Sequence, residues 1–475
     1  MPAPLTTQLA LSGILRAGYR RERCQPQAVV RLDIFCYTGG RADALRWGRL
    51  DAVERGLNPS RTVKRGPTVV TSDEVWSAEH RSVVIASFLG WMLDAFDFFL
   101  VVFVLRHLAG DFKTDIKGVT LGITLTLAMR PVGAFLFGRL GDRYGRRPAL
   151  MASILLYSAM EFATAFSQSL QVFILLRALY GIAMGGEWGI GASLAFESVP
   201  VRSRGVVSGI LQAGYPCGYL LAAVVFGLLF DRIGWRGMFM IGAAPALLVL
   251  FIFSKVPESR TWTAGRAQPQ RRSLLVGLSG HWGLAVYAIV LMTCFNFFSH
   301  GTQDLYPTLL GVQRGFSSGT ISWIAIVYNI GAMLGGIFFG SLSGRLGRRR
   351  AIALAAALSL IVLPFWSYST TPVALAIAAF AMQFMVQGAW GVVPVHLNEL
   401  SPEGIRATFP GVVYQLGNLL ASYNATLQAS VAAAHISDGH PNYAFALTLV
   451  CGVVAAALVL LALVGPERRD VRFAA

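Results

Sequence analysis

Two apolar stretches of the chain carry ionisable side chains at helical spacing, and these set the chemistry to look for. In the first, Gly90-Trp-Met-Leu-Asp94-Ala-Phe-Asp97, the aspartates are i, i+3 and share one face of a helix. Carboxylates held this close at low dielectric repel, so one of them can take up a proton and give it back. In the second, Asn296, His300 and Asp304 recur at i, i+4 and i+8, a polar stripe about 12 Å long on a helix. Ser299 and Gln303 lie beside it, and Thr302 belongs to the same run. Arg130 sits deep in another apolar run, just before Pro131. Left unpaired in a membrane it would cost at least about a few kcal/mol, so it needs an anion. A substrate carboxylate or the Asp94/Asp97 pair could serve. Arg177 and Glu187 lie too far apart to bond within one helix and are expected to pair with other helices.

The chemistry these groups suit is capture of a small organic anion together with protons. No Walker loop, dinucleotide-binding glycine pattern, metal-ligand cluster or nucleophile elbow appears in the sequence. The expectation is therefore a protein that is not an enzyme and needs no cofactor.

The elements that must position these groups are membrane helices. Of the 475 residues, 55% are hydrophobic and only 13% charged, with a mean hydropathy of +0.58, whereas soluble domains carry about 25% charged residues. The apolar runs are long and continuous, which excludes a barrel of alternating strands. At roughly 20 residues per crossing, the runs read as spans at 82–105, 118–138, 147–168, 171–192, 205–230 and 236–255. Six more follow at 281–305, 319–341, 350–369, 372–395, 408–433 and 442–464. The fold class is thus all-α, with twelve transmembrane helices. The frequent glycines fit, because small residues let membrane helices approach closely.

The formal net charge of +16 does not point to nucleic acid, because the basic residues sit in short clusters between apolar runs. Arg139, Arg143, Arg146 and Arg147 follow the second span; Arg345, Arg348, Arg349 and Arg350 follow the eighth. The central stretch (Arg260, Arg266, Arg271, Arg272) and the tail (Arg468, Arg469, Arg472) are basic too. All fall on one side if both termini are cytoplasmic, which predicts a multi-pass protein of the plasma or inner membrane. The five cysteines (Cys24, Cys36, Cys217, Cys294, Cys451) show no metal or disulfide spacing and read as packing residues. Residues 1–75 have no span-length apolar run and no signal-peptide pattern. They read as a disordered cytoplasmic arm or an over-extended reading frame.

The two sets of spans are copies. Gly138-Arg-Leu-Gly-Asp-Arg-Tyr-Gly-Arg-Arg147 and Gly340-Ser-Leu-Ser-Gly-Arg-Leu-Gly-Arg-Arg349 are offset by 202. The same offset pairs Trp188 with Trp390, Glu197 with Glu399, Pro200 with Pro402, and Arg204 with Arg406. The expected organisation is an extension (1–75), a six-helix half (76–255), a cytoplasmic linker (256–278), a second half (279–465) and a tail (466–475). In such parallel repeats the substrate site lies between the halves near the midplane. The offset also pairs Asp94 with Asn296, Asp97 with Ser299 and Asp142 with Gly344. The halves have therefore diverged at their polar positions.

The 138–147 segment resembles the signature loop of the major facilitator superfamily, G-x-L-x-D-R-x-G-R-R. That resemblance implies a gating latch at Asp142 with Arg143 and Arg147 nearby, and Gly344 leaves the second half without an equivalent carboxylate. Glu197 with Arg204, and Glu399 with Arg406, resemble the superfamily's other charged loop motif and imply gating or structural salt bridges. Residues 296–308 fit N-x-x-S/T-H-x-S/T-Q-D-x-x-x-T at every specified position. This is similar to the signature of fungal lactate/pyruvate:proton permeases, in the sialate:proton symporter family. The resemblance, over about residues 80–465, implies proton-coupled symport of a small monocarboxylate by a monomer. Arg130 or His300 would meet the carboxylate, and Asp94, Asp97 or Asp304 would carry the proton. A sialic acid or aromatic acid symporter and a non-transporting sensor are the alternatives.

Overall fold

The computed structural model describes residues 76–266, 280–437, 439–469, 471 and 473. The extension 1–75 with Cys24 and Cys36, the linker residues Arg271 and Arg272, and Arg472 lie outside the described residues.

Among the described residues, nine helices are each long and apolar enough to cross a membrane. They are α1 (Ala78–Asp111), α2 (Ile116–Tyr144), α4 (Leu170–Ser198), α5 (Val201–Ile241), α7 (Trp282–Gln313), α8 (Ser318–Leu346), α9 (Arg348–Tyr368), α10 (Pro372–Leu400) and α12 (Tyr443–Val464). Three further crossings complete the twelve. Helix α3 (Arg146–Thr164) carries Arg146, Arg147 and Glu161, which lower its hydropathy. Helix α6 (Ala246–Lys255) is only the second part of its crossing, whose first part runs from the non-helical Gly234 (φ 62°, ψ −175°) to Ile241. Helix α11 is divided into Thr408–Ala421 and Asn424–Ala434. The expected boundary between spans at 230–236 falls at Gly234, where the backbone leaves the helical conformation, and α4 and α10 run past their expected ends to Ser198 and Leu400.

Local sequence fixes where the helices begin. Asp115, Ser169, Ser317, Thr371 and Asn442 accept hydrogen bonds from the first-turn amides of α2, α4, α8, α10 and α12, the usual work of N-cap oxygens. Gly145 and Gly347, the repeat-paired glycines, start α3 and α9 with φ of 115° and 101°, a conformation side chains with a Cβ rarely adopt. This is the physical reason for the last glycine of each loop motif.

Close approach inside each half relies on missing side chains. A Cβ on Gly133 of α2 would run into the Ile182 carbonyl oxygen of α4, and one on Gly335 of α8 would run into that of Phe384 of α10. The repeat relation is visible here too, since 133 and 335 keep the 202 offset. Between the halves, α5 meets α8 where a Cβ on Gly209 would strike the Gly336 oxygen, and α2 meets α11 where one on Gly138 would lie 2.6 Å from the Thr408 Cα. These contacts sit at the arginine-loop end of the bundle. Gly133→Val and Gly335→Val are expected to cost about 1–3 kcal/mol each by overpacking. Gly344→Ala, with nothing within 4 Å of the new Cβ, is expected to be neutral. Thermal unfolding in detergent, followed by size-exclusion fluorescence, checks the contrast.

Candidate functional site

At the arginine-loop end each half builds the same buried ion pair. Arg146 at the start of α3 donates from Nε and Nη2 to Glu197 of α4 at 3.1 and 2.9 Å. Its repeat partner Arg348 donates to Glu399 of α10 at 2.9 and 3.0 Å. All four side chains are almost fully buried, and the two-pronged geometry suits guanidinium to carboxylate. Each helix start is also capped by a carboxylate arriving from the end of its half. Glu258 accepts from the Arg146 and Arg147 amides at 2.9 and 3.2 Å; Glu467 accepts from those of Arg348 and Arg349 at 2.8 and 3.1 Å. Burial pushes the Glu258 carboxyl above its usual range, opposed by those amide hydrogen bonds. Both caps stand in Pro-Glu pairs after the sixth and twelfth crossings, a signal the sequence reading passed over.

Asp142 joins one half to the other. Its carboxylate accepts from the Ala407 and Thr408 amides at 3.0 and 3.2 Å and from the Thr408 hydroxyl at 2.5 Å. It therefore caps the positive end of α11 from outside the helix, with Arg146 3.4 Å away. The expected neighbours Arg143 and Arg147 do not take part. Arg143 lies exposed against Tyr144, and Arg147 turns to the Phe253 ring and carbonyl. Arg204 and Arg406 likewise do not pair with Glu197 and Glu399. They clasp the Phe473 ring of the tail from the two halves, with guanidinium carbons 3.9 and 4.3 Å from its centroid. Gly344 faces open space, so the second half has no counterpart of the Asp142 contact.

Near the middle of the bundle α7 presents its polar residues on two faces. His300 Nδ1 lies 3.3 Å from Asp304 Oδ1, and both side chains are 38% exposed, beyond the region where the halves close. The stripe's first member, Asn296, is buried instead and donates to the Met292 carbonyl at 2.7 Å. Ser299 and Gln303 form a network with α10. The Gln303 amide donates to Ser299 Oγ (3.3 Å) and Gln383 Oε1 (3.1 Å), and Gln387 donates to Ser299 Oγ at 3.1 Å. Thr302 points the other way from His300. It is buried, accepts from Gln383 at 3.0 Å and donates to carbonyls of its own helix, so the structure sets it in the α7–α10 contact rather than beside the stripe. Gln383 and Gln387 were missed in sequence, although two amides at i, i+4 inside an apolar run are a usable signal.

The first half holds the remaining charges. Arg177 pairs with Glu161 of α3 at 2.6 Å, both fully buried, so it is matched by another helix as expected. Arg130 has no ion pair among the described residues. Its Nη2 lies 2.7 Å from the Met184 sulfur, its guanidinium carbon lies 5.3 Å from the Phe98 centroid, and its Nε has no partner. A thioether is a weak acceptor, so the guanidinium has no direct carboxylate partner among the described residues. Asp94 and Asp97 are 1% and 0% exposed, with Asp94 Oδ1 and both Asp97 oxygens unpartnered. Glu187 has no pairing helix either: both its oxygens are buried without a partner. Beside these groups lies an aromatic layer. Tyr414 of α11 packs 4.7 Å from Trp188, 5.6 Å from Trp390 and 6.4 Å from Trp91, ring centre to ring centre, and Trp91 stacks on Tyr215 at 5.6 Å.

Twelve crossings in two repeated halves, shut at one end and holding unpaired charges in the first half, have the architecture of a membrane carrier. The chain belongs to the Major Facilitator Superfamily, whose model matches residues 87–317 and 289–475, and it is a transporter rather than an enzyme. Its relatives include the sialic acid transporter NanX of Escherichia coli, 30% identical over 81% of this chain and 93% of that protein. A carboxylic acid transporter protein homolog of Saccharomyces cerevisiae is 30% identical over 73% of this chain, which spans 60% of the yeast protein's length. The crystallised proton:xylose symporter XylE has the same fold, with a TM-score of 0.62 at 18% identity over 82% of this chain and 96% of that one.

Removing one member of a buried ion pair strands the other. Arg146→Ala and Arg348→Ala are each expected to cost about 3–5 kcal/mol, read as a lowered midpoint in detergent unfolding. Arg143→Ala, on an exposed side chain, is expected to leave the midpoint unchanged.

Proposed function

We propose that this carrier takes up a small organic monocarboxylate of the lactate or pyruvate type together with protons, by alternating access. The observation that carries the reading is the unmatched Arg130 guanidinium. A buried cation without a carboxylate partner is expensive, and an anionic substrate supplies the missing charge. His300 and Asp304, exposed on the opposite half, stand where a bound acid can be met from the other side. Ser299 and Gln303, braced by Gln383 and Gln387, orient its oxygens. Asp94 and Asp97, buried without partners, are the proton carriers, because a proton removes the charge that burial penalises.

In this reading both termini are cytoplasmic and a monomer suffices. The arginine loops then lie inside, and the closed end held by Asp142, Ala407 and Thr408 is the cytoplasmic gate. Asp142, Glu197 and Glu399 act as gate and scaffold rather than as ligands. Opening the inward face requires the Asp142 contacts to α11 to break. A second reading, sialic acid as substrate, is favoured by the match along nearly the whole of NanX.

Uptake of labelled lactate, pyruvate, sialic acid and benzoate into proteoliposomes, with and without an inward proton gradient, tests both readings. Lactate or pyruvate accumulation that follows the gradient is expected. Asp304→Asn and Arg130→Gln are expected to lower it at least about tenfold, the equivalent of losing about 1.4 kcal/mol of binding. Accumulation that ignores the gradient, or wild-type uptake in Arg130→Gln, would contradict the reading.

A further inference from the structure

Glu187 is a carboxylate for which the fold provides space but no partner. It stands in α4 just after the break at Gly186, is 1% exposed, and neither oxygen has a hydrogen bond among the described residues. Its space comes from α1, where a Cβ on Gly90 would collide with Glu187 Oε1. Any larger residue at position 90 would displace the carboxylate, so the notch is matched to the acid. A cavity of about 10 Å³, bounded by Ser87, Trp91, Glu187, Trp188 and Leu211, adjoins it, room for about one water.

The charged and titratable groups facing Glu187 are Asp94 from α1, Arg130 from α2 and the Tyr157 hydroxyl from α3. From α5 and α10 the same cavity is lined by the apolar Leu211 and Pro394. Asp94 stands one helical turn beyond Gly90 on the same face of α1. Arg130 is anchored beside the same segment of α4: its Nη2 reaches Met184, and a Cβ on Gly185 would strike its carbonyl oxygen. One cation is thus surrounded by two unpaired acids. With both acids ionised the cluster carries a net negative charge at low dielectric, which strongly disfavours that state.

We propose that Glu187 is a proton-binding residue, and that its proton decides whether Arg130 is free for the substrate anion. With the proton on Glu187, an O–H bond neutralises the carboxylate and the guanidinium keeps its charge for the substrate. When that bond breaks and the proton leaves to water, the Glu187 carboxylate competes with the substrate for Arg130. Proton and anion then bind together and leave together. This rests on the symport reading and names the residue that couples the two.

Infrared titration of the full-length protein in lipid reads the carboxyl directly. A protonated carboxyl band that disappears in Glu187→Gln and shifts in Glu187→Asp is expected; spectra of wild type and Glu187→Gln that coincide across the titration would overturn the inference, whatever the transport result. In proteoliposomes Glu187→Gln is expected to retain exchange of labelled for unlabelled organic acid and to lose accumulation driven by the proton gradient, with Glu187→Asp restoring it in part. Gradient-driven accumulation by Glu187→Gln at the wild-type level would also overturn it. Loss of gradient dependence in the wild type contradicts the symport reading itself, while the infrared band still decides the protonation of Glu187.

Discussion

The structure is governed by the cost of an ion away from water. Moving a charge into the bilayer interior is unfavourable unless a partner or a proton neutralises it, and the chain answers this in two distinct ways. Where charge serves the scaffold it is matched: Arg146 with Glu197, Arg348 with Glu399, Arg177 with Glu161. Around the middle of the first half it is left unmatched, at Arg130, Asp94, Asp97 and Glu187. The matched pairs hold helices within a half, so they can persist while the halves move. The unmatched groups are the ones whose state can change with what they bind.

The interface between halves follows the same division. It is made of backbone approaches at glycines and of hydrogen bonds such as Asp142 to the start of α11 and Ser193 to the Arg406 carbonyl at 2.6 Å. Lipid gives helices no hydrophobic reason to associate, so packing and polar contacts decide which surfaces stay together. Contacts of this kind are specific when formed and carry little cost once water can reach them. That suits a surface that must open and close.

Much of this was legible in the sequence, for reasons that differ by residue. The twelve crossings and the duplication follow from run lengths and the 202 offset, because membrane thickness and repeat register leave little freedom. The Asp142 contact was legible through the loop motif and its likeness to the superfamily. Which arginine accompanies it was not: Arg143, Arg146 and Arg147 differ only in helical phase, and that phase depends on the turn at Gly145. Thr302 was grouped with His300 by proximity in sequence, yet two helical positions place it on nearly the opposite face, against Gln383. Glu187 was expected to find a partner, as buried charges usually do, and its lack of one could be learned only from the packing of α1 against α4.

The central claim is that the unpaired charges are completed by an organic anion and a proton together. Isothermal titration of the transported acid into purified protein, in two buffers of different ionisation enthalpy, measures this directly. The account predicts binding heats that differ between the buffers in the sense of proton uptake, and an Arg130→Gln variant that gives no binding heat. Identical heats in both buffers, with full affinity, would mean that the anion binds without a proton and would contradict it.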